Sequence, residues 1–211
     1  EIGINHNGNI NLAKEMIDAA HECGTNCVKF QGFIADRLIS QHAQKAPYQS
    51  RSSDINKKSQ LEIIKECELS VSEMAELKEY THKKGIEFLC TPFEIWSFLS
   101  LQELKVEAIK ISSCNLTNYP FLEKVAKSGI PTLLSTGMGD LSEVYRAVNI
   151  FKSNNTPLLI FQCTSNYPAS IENANLSVIE SYKRLFEIPV GYSDHTLGNT
   201  AAIVAVGLGA V

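Results

Sequence analysis

Short apolar runs alternate with longer helix-periodic runs along the whole of this 211-residue chain, and that alternation narrows the fold more than any other feature. Residues 1–4, 27–30, 86–90, 108–111, 131–134, 157–161 and 189–192 have the length and apolar character of buried strands. Between them lie helical patterns. Residues 11–23 place Leu12, Met16, Ile17 and Ala20 on one face, with Gly24 as the stop. Further helices are read at 60–67 and 72–84, where Ser70 or Ser72 can cap and Gly85 terminates, then at 94–104, 119–127, 141–152, 176–186 and 199–208. The last reads as a buried, Ala-rich helix. About seven strand–helix units in succession fit an α/β (β/α)8 TIM barrel better than an open doubly wound sheet. The expectation is one incomplete barrel domain over 1–211. An eighth strand should begin where the chain stops at Gly209-Ala210-Val211, so a piece of a longer protein is expected, with unpaired strand edges. Residues 32–60 are polar and weakly periodic and read as a lid or a disordered insertion.

Composition removes several classes. Hydrophobic residues make up 44% and charged residues 20%, as in a globular domain. The net charge is −4 and no basic stripe appears, which argues against a nucleic-acid footprint. No apolar run approaches the ~20 residues of a membrane span, and no basic–apolar leader is visible at the start. The six cysteines form no C-x-x-C pair, and Cys27, Cys90 and Cys163 sit in or beside apolar strands, where a thiol acts as a small hydrophobe. This usage points to a reduced, cytoplasmic protein without a disulfide framework.

The chemistry concentrates where strands run out into loops, which is where a barrel builds its site. Period-2 alternation puts Lys29 and Gln31 on one face of Val28-Lys-Phe-Gln31, and Lys110 and Ser112 on one face of the strand ending at Ser112. A buried lysine is costly unless paired, and two in matching positions should point into one cavity as an anion site for carboxylate or phosphate. Hydroxyl-rich segments follow other strands: Thr91-Pro-Phe93, Ser112-Ser113, Ser135-Thr-Gly-Met-Gly139 and Thr164-Ser-Asn-Tyr167. Small hydroxyls and backbone N–H groups before a helix favour phosphate. His6 reads as part of an Asn-Gly turn, His42 and His82 as surface, and His21 as a complement to a helix end. His195 stands apart, beside Ser193 and Asp194 at a strand end, where imidazole suits a divalent metal or general base equally; one histidine alone does not make a metal site.

At these residues the chain resembles the N-acetylneuraminate (sialic acid) synthase family. The matching segments are Glu1-Ile-Gly-Ile-Asn-His-Asn-Gly8, Val28-Lys-Phe-Gln31, Phe88-Leu-Cys-Thr-Pro-Phe93, Lys110-Ile-Ser-Ser113, Leu134-Ser-Thr-Gly-Met138, Gln162-Cys-Thr-Ser-Asn-Tyr-Pro168 and Gly191-Tyr-Ser-Asp-His-Thr-Leu-Gly198. They match in order and spacing over essentially the whole chain. The resemblance implies a (β/α)8 barrel that condenses phosphoenolpyruvate with an N-acylated aldose, typically N-acetylmannosamine, to give a nonulosonic acid and phosphate. It implies a divalent metal, manganese or magnesium, held by His195 and by a second histidine on an eighth strand beyond Val211. It also implies a C-terminal antifreeze-like domain and a domain-swapped homodimer.

Carried over by position, the resemblance assigns phosphoenolpyruvate to Lys29, Thr91, Lys110, Ser113, Ser135, Ser165 and Ser193. It assigns the sugar to Gln31 and Tyr167, with Glu1 near the sugar or the metal's waters. Asn115 stands where the family has Glu or Asp; an amide can place water or hold a hydroxyl but cannot act as a general acid or base. Two other readings compete: a Schiff-base pyruvate aldolase with Lys29 or Lys110 as nucleophile, and an inactive remnant or binding domain.

Overall fold

The computed structural model describes residues 1–44 and 58–211. The chain divides into two compact units, Glu1–Glu107 and Ala108–Val211.

In the first unit, β1 (Cys27–Gly32) and β2 (Glu87–Pro92) pair in parallel, from Cys27 opposite Glu87 to Gly32 opposite Pro92. Burial alternates strictly along β1, with Val28, Phe30 and Gly32 inside and Lys29 and Gln31 on the other face, the two-residue period expected of a strand. The helices are α1 (Ile10–Glu22), α2 (Ala35–Leu38), α3 (Gln60–Glu66), α4 (Val71–Lys83) and α5 (Ile95–Glu103). Ser59 and Ser70 close capping boxes with Glu62 and Glu73 at the starts of α3 and α4, a device in which each cap contributes about 1 kcal/mol. Ile17, Phe30, Leu77, Phe88, Cys90 and Phe98 are wholly or almost wholly buried and form its core.

The expected first strand, Glu1–Ile4, contracts to a single bridge between Gly3 and Phe30. Gly3 takes φ +58°, and the Asn5 N–H turns back onto the Ile2 carbonyl at 3.1 Å, so the backbone leaves the extended region after one pairing. Within the segment read as a lid or insertion, the only helix among the described residues is α2; residues 45–57 lie outside the described residues.

The second unit is a four-stranded parallel sheet in the order β3 (Ile109–Ile111), β4 (Thr132–Ser135), β5 (Leu158–Cys163), β6 (Val190–Ser193). Helices α6 (Tyr119–Ala126), α7 (Leu141–Ser153) and α8 (Val178–Phe186) connect successive strands, and α9 (Thr200–Gly207) follows β6. Sequential parallel strands joined by helices are the βαβ crossover repeated. Asp140 closes a third capping box with Glu143. The core combines Ile109, Ile111, Leu134 and Ile160 from the sheet with Val144, Phe151, Ile179 and Phe186 from the helices. Helix α9 is less buried than its composition suggests. Ala201 and Ala205, one turn apart, are buried, whereas Ile203, Val204 and Val206 are 65%, 46% and 69% exposed. An all-apolar helix carries no polar face to reveal which side packs. No helix of the described residues is long and apolar enough to cross a membrane.

Candidate active site

In the second unit, the side chains expected to carry chemistry gather at the carboxyl ends of β3 to β6. Lys110 is 8% exposed; its ammonium donates to Ser135 Oγ and stands 5.0 Å from the Phe161 ring centroid. A hydroxyl and an aromatic face are both suitable partners for a buried cation. Ser113 Oγ accepts the Gly137 N–H at 2.9 Å and donates to Cys163 Sγ at 3.8 Å. Gly137 is required there: a Cβ would be driven into Ser165 Oγ and would meet Ser113 Oγ at 3.0 Å and the Cys163 carbonyl at 3.2 Å. Ser113, Ser165 and the Gly137 amide thus form one polar cradle. Asn115 is 6% exposed and accepts Asn118 Nδ2–H at 3.1 Å.

His195 Nδ1 lies 2.8 Å from the Thr164 carbonyl oxygen and 4.0 Å from Cys163 Sγ, and the Tyr167 ring is tilted against the imidazole with centroids 4.3 Å apart. Since a carbonyl only accepts, the proton belongs on Nδ1, and Nε2 keeps its lone pair. That is the arrangement in which a backbone carbonyl orients a metal-binding imidazole, so His195 fits one ligand position of a divalent ion. It is the only histidine of residues 108–211. The hydrogen bond with Cys163 raises the imidazole's pKa above 6.5; burial opposes this, and the Thr164 carbonyl adds to it. Burial pushes the Cys163 thiol up, but His195, Ser113 and Ser193 together bring it below its ordinary value. Ser193 is the register partner of Cys163 across β5 and β6. Tyr192 is held up to about 12 by burial and by the Asp194 charge.

In the first unit a second group surrounds the end of β1. Lys29 is ion-paired with Glu1. A Cβ on Gly3 would lie 3.2 Å from Glu1 Oε1 and 3.5 Å from Gln31 Nε2, so these two side chains flank the bridge residue. Gln31 is the register partner of Thr91. Thr91 is 2% exposed and its Oγ1 has no hydrogen-bond partner among the described residues, a buried polar atom of the kind a ligand or water satisfies. Glu1, expected near the sugar or the metal's waters, has Lys29 as its ion-pair partner.

Three features were not legible in the sequence. His6, read as an ordinary turn histidine, is completely buried: Nδ1 accepts the Gly8 N–H at 3.1 Å and Nε2 is unpartnered among the described residues. Burial lowers its pKa below 6.5; the Gly3 backbone and the Glu73 charge pull the other way without reversing it. Cys163, read as a small hydrophobe, is hydrogen-bonded within the group around His195. His82, read as surface, is indeed exposed, but with Glu87 and Glu107 it brings three donor atoms within 4.8 Å of one another. The Lys78 ammonium lies 3.1 Å from Glu107 in that cluster, which excludes His195. Only the hydroxyl-thiol motif Gln162-Cys-Thr-Ser165, through its place at a strand end, carried a signal for the second of these.

Parallel strands joined by helices, with functional groups at their carboxyl ends, define an α/β protein of the TIM-barrel type. The NeuB family profile matches residues 16–211, and the chain belongs to the NeuB family. It is 42% identical over its whole length to an N,N'-diacetyllegionaminic acid synthase of Campylobacter jejuni and 39% identical to the N-acetylneuraminate-9-phosphate synthase of Mus musculus, covering 64% and 58% of those proteins. The chain therefore spans about three fifths of the curated relatives it matches. The crystal structure of an N-acetylneuraminic acid synthetase from Leptospira borgpetersenii, in complex with citrate, superposes over 99% of this chain and 68% of its own, with a TM-score of 0.86 and 36% identity.

Proposed function

We propose that this chain is the barrel portion of a metal-dependent synthase that condenses phosphoenolpyruvate with an N-acylated aldose, releasing phosphate and a nonulosonic acid. The observation that carries the reading is the group Lys110, Ser135, Ser113, Gly137 and His195 at the strand ends of the second unit, in a chain of the NeuB family. Phosphoenolpyruvate carries a carboxylate and a phosphate. A buried ammonium with hydroxyls and a backbone amide beside them suits both, because fixed donors stabilise charge as it moves onto the departing phosphate. Lys110, Ser113, Ser135, Ser165 and Ser193 take that role, with Lys29 and Thr91 of the first unit assigned to it as well.

His195, through Nε2, would hold a divalent ion, manganese or magnesium. When bound, the ion supplies Lewis-acid polarisation of the sugar aldehyde. Carbon 3 of phosphoenolpyruvate forms the new bond to the aldehyde carbon, whose oxygen takes up a proton. Water adds at carbon 2, and the carbon 2–oxygen bond to phosphate breaks. Gln31, Tyr167 and Glu1 face the sugar. Asn115, buried and hydrogen-bonded, orients water or a sugar hydroxyl and does not exchange a proton. The complete protein works as a homodimer, and six free thiols are consistent with a reducing, cytoplasmic setting.

The test is phosphate release by the full-length gene product from phosphoenolpyruvate and a panel of N-acyl aldoses, with and without manganese. The expected result is metal-dependent release with at least one sugar, abolished by Lys110→Ala. Borohydride trapping of a pyruvate adduct on Lys29 or Lys110 would replace this reading with a Schiff-base aldolase.

A further inference from the structure

We propose that Cys163 is a positioning residue that couples the anion cradle to the metal-binding imidazole. The assignment of ligands to those two places rests on the synthase reading above; the connection between them rests on geometry alone. Cys163 ends β5, is 7% exposed, and lies within a continuous chain of polar contacts. The Gly137 N–H donates to Ser113 Oγ at 2.9 Å, Ser113 Oγ–H donates to the sulfur at 3.8 Å, and the sulfur lies 4.0 Å from His195 Nδ1. Ser193 stands beside it in register on β6.

The sulfur thus touches both the hydroxyl that meets the cradle amide and the imidazole whose other nitrogen is left for the metal. The Gly137 amide belongs to the Ser135–Gly139 loop and His195 to the loop after β6, so two separately connected loops share Cys163 as their junction. A sulfur suits the place because its long bonds and large radius reach both neighbours at 3.8 and 4.0 Å. The thiol has no bond to make or break in the reaction. It fixes where the Ser113 hydroxyl and the imidazole stand relative to each other, so an anion that orders one side also orders the other. Such coupling is reciprocal: whatever factor the anion adds to metal affinity, the metal adds to anion affinity.

The test needs no turnover. Manganese affinity of the full-length gene product is measured from the free-ion paramagnetic resonance signal, with and without saturating phosphoenolpyruvate and with no sugar present. The wild type is expected to bind manganese about tenfold more tightly when phosphoenolpyruvate is bound, a coupling within the common range. Cys163→Ala and Cys163→Val should bring that factor close to one. Cys163→Ser, which keeps a polar atom at the junction, should retain a measurable part of it. Circular dichroism melts of all three variants establish that they are folded, and two apolar variants of different volume separate lost coupling from a packing defect. Unchanged coupling in Cys163→Ala, or independent binding of the two ligands by the wild type, overturns the proposal while leaving the synthase reading intact. A wild type that binds neither ligand overturns both.

Discussion

Nδ1 of His195 lies 2.8 Å from the carbonyl oxygen of Thr164, so the loop after β5 sets the tautomer of the imidazole that follows β6. Replacing Thr164 would leave that carbonyl in place; replacing His195 removes the imidazole that is proposed to hold the metal. His195→Ala is therefore expected to lower manganese affinity of the full-length product by 10- to 100-fold or more, by analogy with the loss that even outer-shell changes bring. Titration of manganese against both proteins measures this. Equal affinities would mean that the metal, if bound, sits elsewhere.

Lys110 is buried, and its ammonium donates to the Ser135 hydroxyl and stands over the Phe161 ring. Lys110→Met keeps the stem and removes the charge. The expected outcome is at least a tenfold rise in the dissociation constant for phosphoenolpyruvate, a change of about 1.4 kcal/mol or more, with thermal stability held or improved because a buried charge is no longer desolvated. Calorimetric titration and a melting curve read the two effects. Unchanged affinity would take Lys110 out of the anion site.

Asn115, at whose place the resemblance read from the sequence expects a carboxylate, accepts a hydrogen bond from Asn118. An aspartate accepts the same bond. Asn115→Asp is expected to preserve or raise turnover, measured as phosphate release. A loss above tenfold would show that the amide has a role of its own.

Gly137 has no room for a methyl group. A Cβ there would press on Ser165 Oγ, Ser113 Oγ and the Cys163 carbonyl, and the last of these is backbone. Gly137→Ala is expected to destabilise the fold by about 1–3 kcal/mol, the usual cost of overpacking, and to weaken phosphoenolpyruvate binding as the cradle opens. Urea unfolding together with ligand titration checks both. An alanine variant as stable as wild type would show that the cradle gives way without cost.

His6 gives stability a dependence on pH. Its folded pKa is depressed below 6.5, chiefly by burial. Between that depressed value and 6.5, the unfolded chain binds a proton that the folded chain refuses. Stability contributed by the neutral ring is complete above pH 6.5 and is lost as pH falls through that window. Chemical unfolding at pH 7.5 and 5.5 should show a smaller loss on acidification for His6→Asn than for wild type. Parallel losses in the two proteins would mean that other groups govern the acid limb.

Much of the fold could be read from periodicity. The capping boxes at Ser70 and Asp140 and the stop at Gly85 all leave local marks in the chain, because each is satisfied within four residues. Lys29, Gln31 and Lys110 were legible as strand residues, since a charged group inside an apolar run stands out. Their partners were not. Nothing near Lys29 in sequence announces Glu1, and nothing near Lys110 announces Ser135, 25 positions away. His6 sits in a segment with every sign of an exposed turn, and becomes buried only as it packs 6.1 Å from the Phe30 ring. The apolar face of α9 misled in the opposite sense: composition reports how apolar a helix is, and not how much of it finds a neighbour.

The sequence by itself determined the order of strands and helices, the ends of most helices, and which residues would stand at strand ends, because these follow from side-chain period and from caps that act within a turn. Tertiary structure alone decided that Thr164 orients His195, that Cys163 joins Ser113 to the imidazole, and that His6 is buried. Those relations join β3, β5 and β6, or a turn and a distant strand, and through-space contacts between such segments leave no local pattern in the chain that makes them.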